Sequence, residues 1–441
     1  MARPVVHALA ILWRWPQGSG VRYLYTLAMY LVTPLMLLRL LARGMRSQPY
    51  RRRWPERFGI FTPPGFHGSL WVHAVSVGEV NAAAPLIRAL RADYANAPLV
   101  ITTVTPTGSA RVHQLFGRSV FHVYLPYDLP FAVERFLRQV HPRLALIVET
   151  EIWPNLYFAC HQRGIPLMIV NARLSRRSLR GYRPLRALAR SALRCVRLIA
   201  AQSRSDAARY RLLGADPQQI MVTGNMKFDM TIPVNAMAEG ASMRASWGAQ
   251  RPVWIAASTH EGEELAVLDA HRRVLQELPD ALLLLAPRHP ERFRLVEHVV
   301  RGRGFSVATR SVQGAPTAGH EVFVIDAMGQ LMPYFAAAGV AFIGGSLVPI
   351  GGHNVLEPAA LSTPVLVGPH TFNFEEITLS LIQHHGAGRV ADSTQLAHCV
   401  LALLRDPVQR QRMGHAALEV FERERGAVRR VMQMVDTVLQ E

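Results

Sequence analysis

The sequence predicts an α/β protein of two doubly wound, Rossmann-like domains facing a cleft. Three observations carry that prediction. At 441 residues the chain is too long for one ordinary core. From about residue 69, short apolar runs bounded by Gly, Pro or Asn alternate with longer amphipathic stretches, the pattern of buried parallel strands and crossover helices. The alternation lapses after residue 230 and then restarts, giving two successive series of similar length.

A hydrophobic segment precedes both series. Tyr23 to Leu41, YLYTLAMYLVTPLMLLRLL, has 16 uncharged residues ahead of Arg39 and contains Pro34, which puts it at the short edge of a spanning helix. Arg39, Arg43, Arg46, Arg51, Arg52 and Arg53 follow, against Arg3, Arg14 and Arg22 before or at its start. By the positive-inside rule the bulk of the chain is then cytoplasmic. No small-residue cleavage site follows, so residues 1–45 are expected to remain as a membrane anchor, single-pass or lying in the interface. A first helix buried in the globular body is the competing reading.

In the first series SLWVHAV, PLVITTV, VFHVYLP, RLALIV, PLMIVNA and VRLIAAQ read as strands of a domain over residues 46–230. TIPVNAMAEGASMRASWGA reads as an interdomain segment. PVWIAAS, ALLLLAPR, FSVAT, EVFVID, GVAFIGG and TPVLVG then build a second domain over 231–441, whose helical end, from about 406, is expected to cross back to the first.

The net charge of +18 comes almost wholly from arginine and suits an anionic partner: nucleic acid, lipid headgroups or a phosphorylated substrate. No aromatic-interleaved basic motif or finger spacing marks a nucleic-acid module, so none is expected as partner. Cys160, Cys195 and Cys399 are odd in number and far apart, which gives neither a disulfide framework nor a zinc pattern and points to a reducing compartment. GxxxxGK[ST], HExxH and GxSxG are absent, and no GxGxxG follows the first strand of either series. Kinases, P-loop NTPases, classical dehydrogenases and zincins are thereby set aside, and no metal or cofactor is expected.

Ligands of doubly wound sheets bind at the carboxyl ends of the strands, so the polar residues just after each apolar run are the candidates. In HAVSVGEV, Gly78 permits a tight turn and Glu79 opens a helix, where the dipole and unpaired amides would hold its carboxylate ionised, as a general base requires. In VETEIWPN, Glu149 and Glu151 share a face if the strand persists, and two carboxylates there are costly unless paired or functional. Nine arginines between Arg173 and Arg197 form a positive stripe, which is either a solvated helix face or a surface for phosphorylated headgroups. Further on, Lys227, Ser258 and Thr259, Arg288 and His289 each follow a run. The loop GGSLVPIGGHN, with Gly344, Gly345, Ser346, Gly351, Gly352, His353 and Asn354, leads to a helix expected near His353 or Asn354, with Glu357 one turn in. Glycines let amides approach a phosphate, and a helix N-terminus attracts anions, so these residues together suggest a nucleotide.

Read together, HAVSVGEV, ETEIWPN, NARLSRRS, GNMKFD, ASTHEGEE, PRHPERF, GGSLVPIGGHNVLEP and GPHTFNFEE resemble the 3-deoxy-D-manno-octulosonic acid (Kdo) transferase family of Gram-negative bacteria, in family order and over nearly the whole chain. The resemblance implies a GT-B glycosyltransferase, with acceptor in the first domain and donor in the second. It implies metal-independent, inverting transfer from CMP-Kdo to a tetraacylated, bis-phosphorylated lipid A precursor at the cytoplasmic face of the inner membrane. The family's base maps onto Glu79 and a second essential acid onto Glu149 or Glu151, with Glu149 preferred. Glu151, Arg173, Arg176 and Arg177 are then acceptor candidates. Lys227, Ser258, Thr259, Arg288, His289, the 344–354 loop and Glu357 are donor candidates. Another GT-B enzyme, such as a UDP-sugar 2-epimerase, and a non-catalytic lipid A-binding protein are the alternatives.

Overall fold

The computed structural model describes residues 20–440 and divides into two compact units. Unit 1 runs to Met230 and resumes at Gly426; unit 2 is Thr231–Arg425. Each is built on one seven-stranded, all-parallel sheet.

The strands of unit 1 are β1 (Ser69–His73), β2 (Leu99–Thr103), β3 (Phe121–Tyr124), β4 (Pro142–Val148), β5 (Leu167–Ala172), β6 (Leu198–Ala201) and β7 (Ile220–Val222). Their order is β3-β2-β1-β4-β5-β6-β7. The central strands are continuous apolar runs, buried on both faces as a sheet covered by crossover helices requires. One cluster of buried side chains packs helices Val77–Asp93 and Ala427–Gln440 on one face; a second, around Trp71, Phe136 and Tyr157, fills the other.

Unit 2 contains β8 (Val253–Thr259), β9 (Leu282–Pro287), β10 (Val307–Thr309), β11 (Val322–Val324), β12 (Val340–Ile343), β13 (Val365–Val367) and β14 (Ala387–Arg389), in the order β10-β11-β9-β8-β12-β13-β14. In both sheets the strand order reverses beside the first strand, between β1 and β4 in unit 1 and between β8 and β12 in unit 2. Such switch points open a crevice at the carboxyl ends of the strands.

Every apolar run named above forms a strand. β14 lies outside those runs, since its Ala-Gly-Arg is not apolar. The segment read as interdomain differs more. Its residues form the helix Ala236–Trp247, packed inside unit 2 on the helix Leu331–Ala337. A Cβ on Gly240 would stand 2.5 Å from that of Ala336, and Trp247 stacks on Tyr334. Close approach through small residues holds this helix, and small residues leave little hydrophobic periodicity to read.

The chain re-enters unit 1 through a cap. Asp229 accepts from the N–H of Gly426 (2.6 Å) and Val428 (2.7 Å), satisfying two free amides at the start of Ala427–Gln440. Arg430 Nε donates to the Thr223 carbonyl, and Tyr94 to Asp436. Asp229→Ala is expected to lower stability by about 1–2 kcal/mol, the range for a lost cap, read by urea denaturation. A change within experimental error would show that packing alone holds the helix.

The first described helix, Gly20–Arg46, is long and apolar enough to cross a membrane. One side is docked on unit 1. Tyr25 donates to Asp128 (2.8 Å), Thr26 to Asn155 (3.1 Å), and the Arg22 guanidinium lies 4.1 Å over the Phe158 ring. Asp128, fully buried, also accepts from the N–H of Asn155 and Leu156. The other side exposes Leu24, Leu27, Leu31, Leu35, Leu38 and Leu41, spaced three or four apart. Of the flanking arginines, Arg51 bonds the Gly44 carbonyl and Arg53 pairs with Glu56, so these two are committed to the fold. Arg3 and Arg14 lie outside the described residues.

Candidate active site

Glu79 lies in the first turn after β1, on the helix Val77–Asp93. Its Oε2 accepts from the Val75 N–H at 2.7 Å and its Oε1 from the Ser76 hydroxyl at 3.3 Å, while Ser76 caps the helix. The backbone thus folds the carboxylate back over its own turn. Contrary to the sequence reading, this does not hold Glu79 ionised. Burial pushes its carboxyl up to about 8, the hydrogen bonds from Val75 and Ser76 pull it down only in part, and the nearby charges of Glu149 and Glu151 push it further up. Desolvation outweighs the helix terminus because a charge leaving water loses more than two hydrogen bonds return.

Glu149 and Glu151 follow β4, the neighbour of β1 across the switch point. Glu149 has φ +63°, a left-handed conformation that strains a residue with a Cβ, and its carbonyl is held by the Tyr210 hydroxyl. Glu151 Oε2 accepts from the Trp153 indole N–H at 2.9 Å, and the Tyr157 hydroxyl donates to its carbonyl at 2.6 Å. Burial pushes the Glu151 carboxyl up to about 7, with Glu149 adding to the rise and the indole opposing it. Three carboxyl groups therefore meet where the sheet order reverses. Two of them are poised near neutrality, the condition in which a carboxyl exchanges protons with substrate.

Arg173 follows β5, one strand further along, and is half-buried; Arg176 and Arg177 are exposed in the first turn of the short helix Arg176–Gly181. The remaining six arginines of the stripe, Arg180 to Arg197, are also exposed.

In unit 2, Ser258 adopts φ +59° at the end of β8. His260 stacks on His353 with ring planes 3° apart and Nε2 atoms at 2.7 Å, and meets His289 edge-on with centroids 5.1 Å apart. Arg288 follows β9, its N–H donating to the Thr259 carbonyl at 3.0 Å; burial pulls His353 down to about 3, with His260, Arg288 and His289 lowering it further. Asn354 donates to Glu357 at 3.1 Å. The loop after β8 and the loop after β12 are thus joined at the second switch point, bringing Ser258, Arg288, His289, His353, Asn354 and Glu357 to one end of the sheet.

Two other candidates of unit 2 are not brought to that place. Thr259 is fully buried, and Ser346 is spent internally, its hydroxyl donating to the Ile343 carbonyl and accepting from the Gly368 N–H. Lys227 belongs to unit 1, where it sits in the turn Met226–Asp229. The helix expected from His353 or Asn354 is only Leu356–Ala360, too short to offer a dipole. No metal-ligand cluster occurs among the described residues.

With this geometry in view, the comparisons with known proteins are decisive. Residues 52–230 match the family model described as 3-deoxy-D-manno-octulosonic-acid transferase (kdotransferase). The chain is 41% identical over 425 residues to the 3-deoxy-D-manno-octulosonic acid transferase of Haemophilus influenzae, covering 95% of this chain and 99% of that one. This protein belongs to the Kdo transferase family. It is a glycosyltransferase of GT-B fold. Two solved structures share that fold: a glycosyltransferase from Rickettsia africae (TM-score 0.55, 11% identity, 85% of this chain and 100% of that one) and UDP-GlcNAc 2-epimerase from Neisseria meningitidis (TM-score 0.57, 14%, 85% and 100%).

Two features of this Kdo transferase escaped sequence reasoning. His260 is one: its ring links His289 to His353. Glu263 is the other: its carboxylate holds the glycine-rich loop. The contacts of Glu263 with the loop and of His260 with His353 join residues 82 to 93 apart in sequence, which leaves no local signal.

Proposed function

We propose that this enzyme transfers Kdo from CMP-Kdo to a tetraacylated, bis-phosphorylated lipid A precursor, with inversion and release of CMP. The meeting of Glu79, Glu149 and Glu151 at the unit 1 switch point is the observation that carries it. Direct displacement needs one base to take the proton of the acceptor hydroxyl as the new bond forms. Glu79 is that base. Glu149, on its strained backbone, and Glu151, held by Trp153, keep it basic by repelling a second negative charge.

The donor is held by unit 2. The leaving phosphate's charge is met by Arg288, His289 and His353, and Glu357 accepts from the ribose hydroxyls; fixed cationic and N–H groups can stabilise that charge. Thr259 and Ser346 are left out of this set by their placement within unit 2, and Lys227 of unit 1 stays a donor candidate. Arg173, Arg176 and Arg177 take the acceptor phosphates. The likeness to 3-deoxy-D-manno-octulosonic acid transferases supports the Kdo assignment. The test is mass spectrometry of the lipid after incubation with the precursor and CMP-Kdo. A gain of one or more Kdo units is expected; turnover of a UDP-sugar with no such gain would overturn the reading.

We further propose that Gly20–Arg46 lies in the plane of the cytoplasmic leaflet of the inner membrane. Its Tyr25 and Thr26 bonds tie the first turns to unit 1, and the leucine stripe is left for acyl chains. In inside-out vesicles an N-terminal tag should then be cleaved by external protease together with the catalytic units. A tag protected inside the vesicle would show a spanning helix instead.

A further inference from the structure

The loop after β12 has the shape of an anion nest. Gly345 at φ +67° turns the backbone so that the N–H groups of Gly345, Ser346 and Leu347 converge on one side. Successive amides in this arrangement ordinarily receive a ligand phosphate. Here they receive a side chain. Glu263 Oε2 accepts from Gly345 N–H at 2.6 Å and His260 N–H at 3.0 Å; its Oε1 accepts from Ser346 N–H at 2.9 Å and Leu347 N–H at 2.8 Å. Glu263 is fully buried, with both oxygens committed.

We infer that the Glu263 carboxylate is the resident anion of the glycine-rich loop, a positioning residue that sets the donor site by filling the amides a phosphate would otherwise occupy. This rests on the reading of unit 2 as the donor unit. Its consequence is that the donor's anionic groups are met by side chains standing in front of the loop, not by amides 345–347.

The geometry shows how one carboxylate does this. The His260 N–H lies on the loop after β8 and the other three on the loop after β12, so Glu263 clamps the two together. Gly344 admits the clamp: a Cβ there would stand 2.6 Å from the Ser258 carbonyl oxygen. The Gly345 carbonyl in turn accepts from Gly351 N–H (2.9 Å) and Gly352 N–H (2.7 Å), which brings His353 back over the loop onto the ring of His260. The His260–His353 pair, and with it the surface facing the donor, is set by backbone that Glu263 holds. A glutamine cannot replace it, because its NH2 would face two N–H donors across less than 3.1 Å.

Hydrogen exchange of the wild-type enzyme with and without CMP tests the inference directly. Amides 345–347 should exchange slowly in the free protein and change little with CMP, while segments around 258–260, 288–289 and 353–357 gain protection. Fast exchange in the free protein with protection only on adding CMP would overturn it. Absence of CMP protection anywhere in unit 2 would refute the donor reading instead, leaving Glu263 to be judged on the free protein. As a second measurement, Glu263→Gln should raise the donor KM about tenfold or more with acceptor KM within about twofold, the loss expected when buried charge-assisted bonds are broken. The control is Glu264→Gln, which breaks the neighbouring Arg292 pair (3.1 Å) without touching the loop. Equal donor KM changes in the two variants would reduce Glu263 to a general stabiliser and overturn the assignment.

Discussion

Glu79→Gln is expected to lose Kdo transfer by about 100- to 10,000-fold, the usual worth of general-base catalysis, while still binding CMP. The amide keeps the shape of the turn and can still accept from Val75 N–H, so the loss falls on proton removal and not on folding. The same carboxyl sets the pH dependence. Only its ionised form is a base and burial pushes it up to about 8, so kcat/KM should rise with pH along a limb that levels near that value. Stability responds with the opposite sign. A carboxyl raised from its ordinary 4.5 to about 8 takes up a proton on folding. Its contribution is full below about 4.5 and is lost as pH rises through about 8. Glu79→Gln should therefore gain in Tm relative to wild type as pH is raised across that window, even as activity disappears. Near-normal transfer by the variant, or a limb levelling near pH 5, would remove Glu79 from the role of base.

The sign of that shift also marks where the sequence stopped being readable. The strand–turn–helix position of Glu79 was legible from Gly78 and the apolar run before it, because both are local. Its charge state was not, because the terms that decide it come from burial and from Glu149 and Glu151, 70 and 72 residues on. Unit 2 repeats the lesson. The glycine-rich loop was visible as a string of glycines, and reading it as a phosphate cradle followed from loop chemistry alone. What fills the cradle is Glu263, and nothing within the loop announces a carboxylate 82 residues upstream of its first acceptor contact. Buried strands were recognised from apolar runs, whereas Ala236–Trp247 was missed because its packing depends on Gly240 meeting Ala336. Side-chain chemistry at the strand ends was thus readable as a set of candidates, and tertiary contacts then sorted them.

The arginines after β5 carry the other large effect. Arg176 and Arg177 occupy the first turn of Arg176–Gly181, the end where cations oppose the backbone dipole, so the helix gains nothing from them. Among the described residues, none of Arg173, Arg176 and Arg177 has a carboxylate partner. Three unpaired guanidiniums one strand from the carboxyl cluster suit a doubly phosphorylated acceptor, since the planar fork bonds phosphate in pairs. Replacing all three by alanine should raise the acceptor KM about 10- to 100-fold. That corresponds to roughly 0.5–1 kcal/mol for each contact, the value for exposed, solvent-screened charge pairs. The donor KM and the pH limb set by Glu79 should stay within about twofold of wild type. The difference should also shrink in about 0.5 M salt, which shortens the screening length to a few ångströms. Equal effects on both substrates, or a difference indifferent to salt, would place these arginines on a merely solvated face.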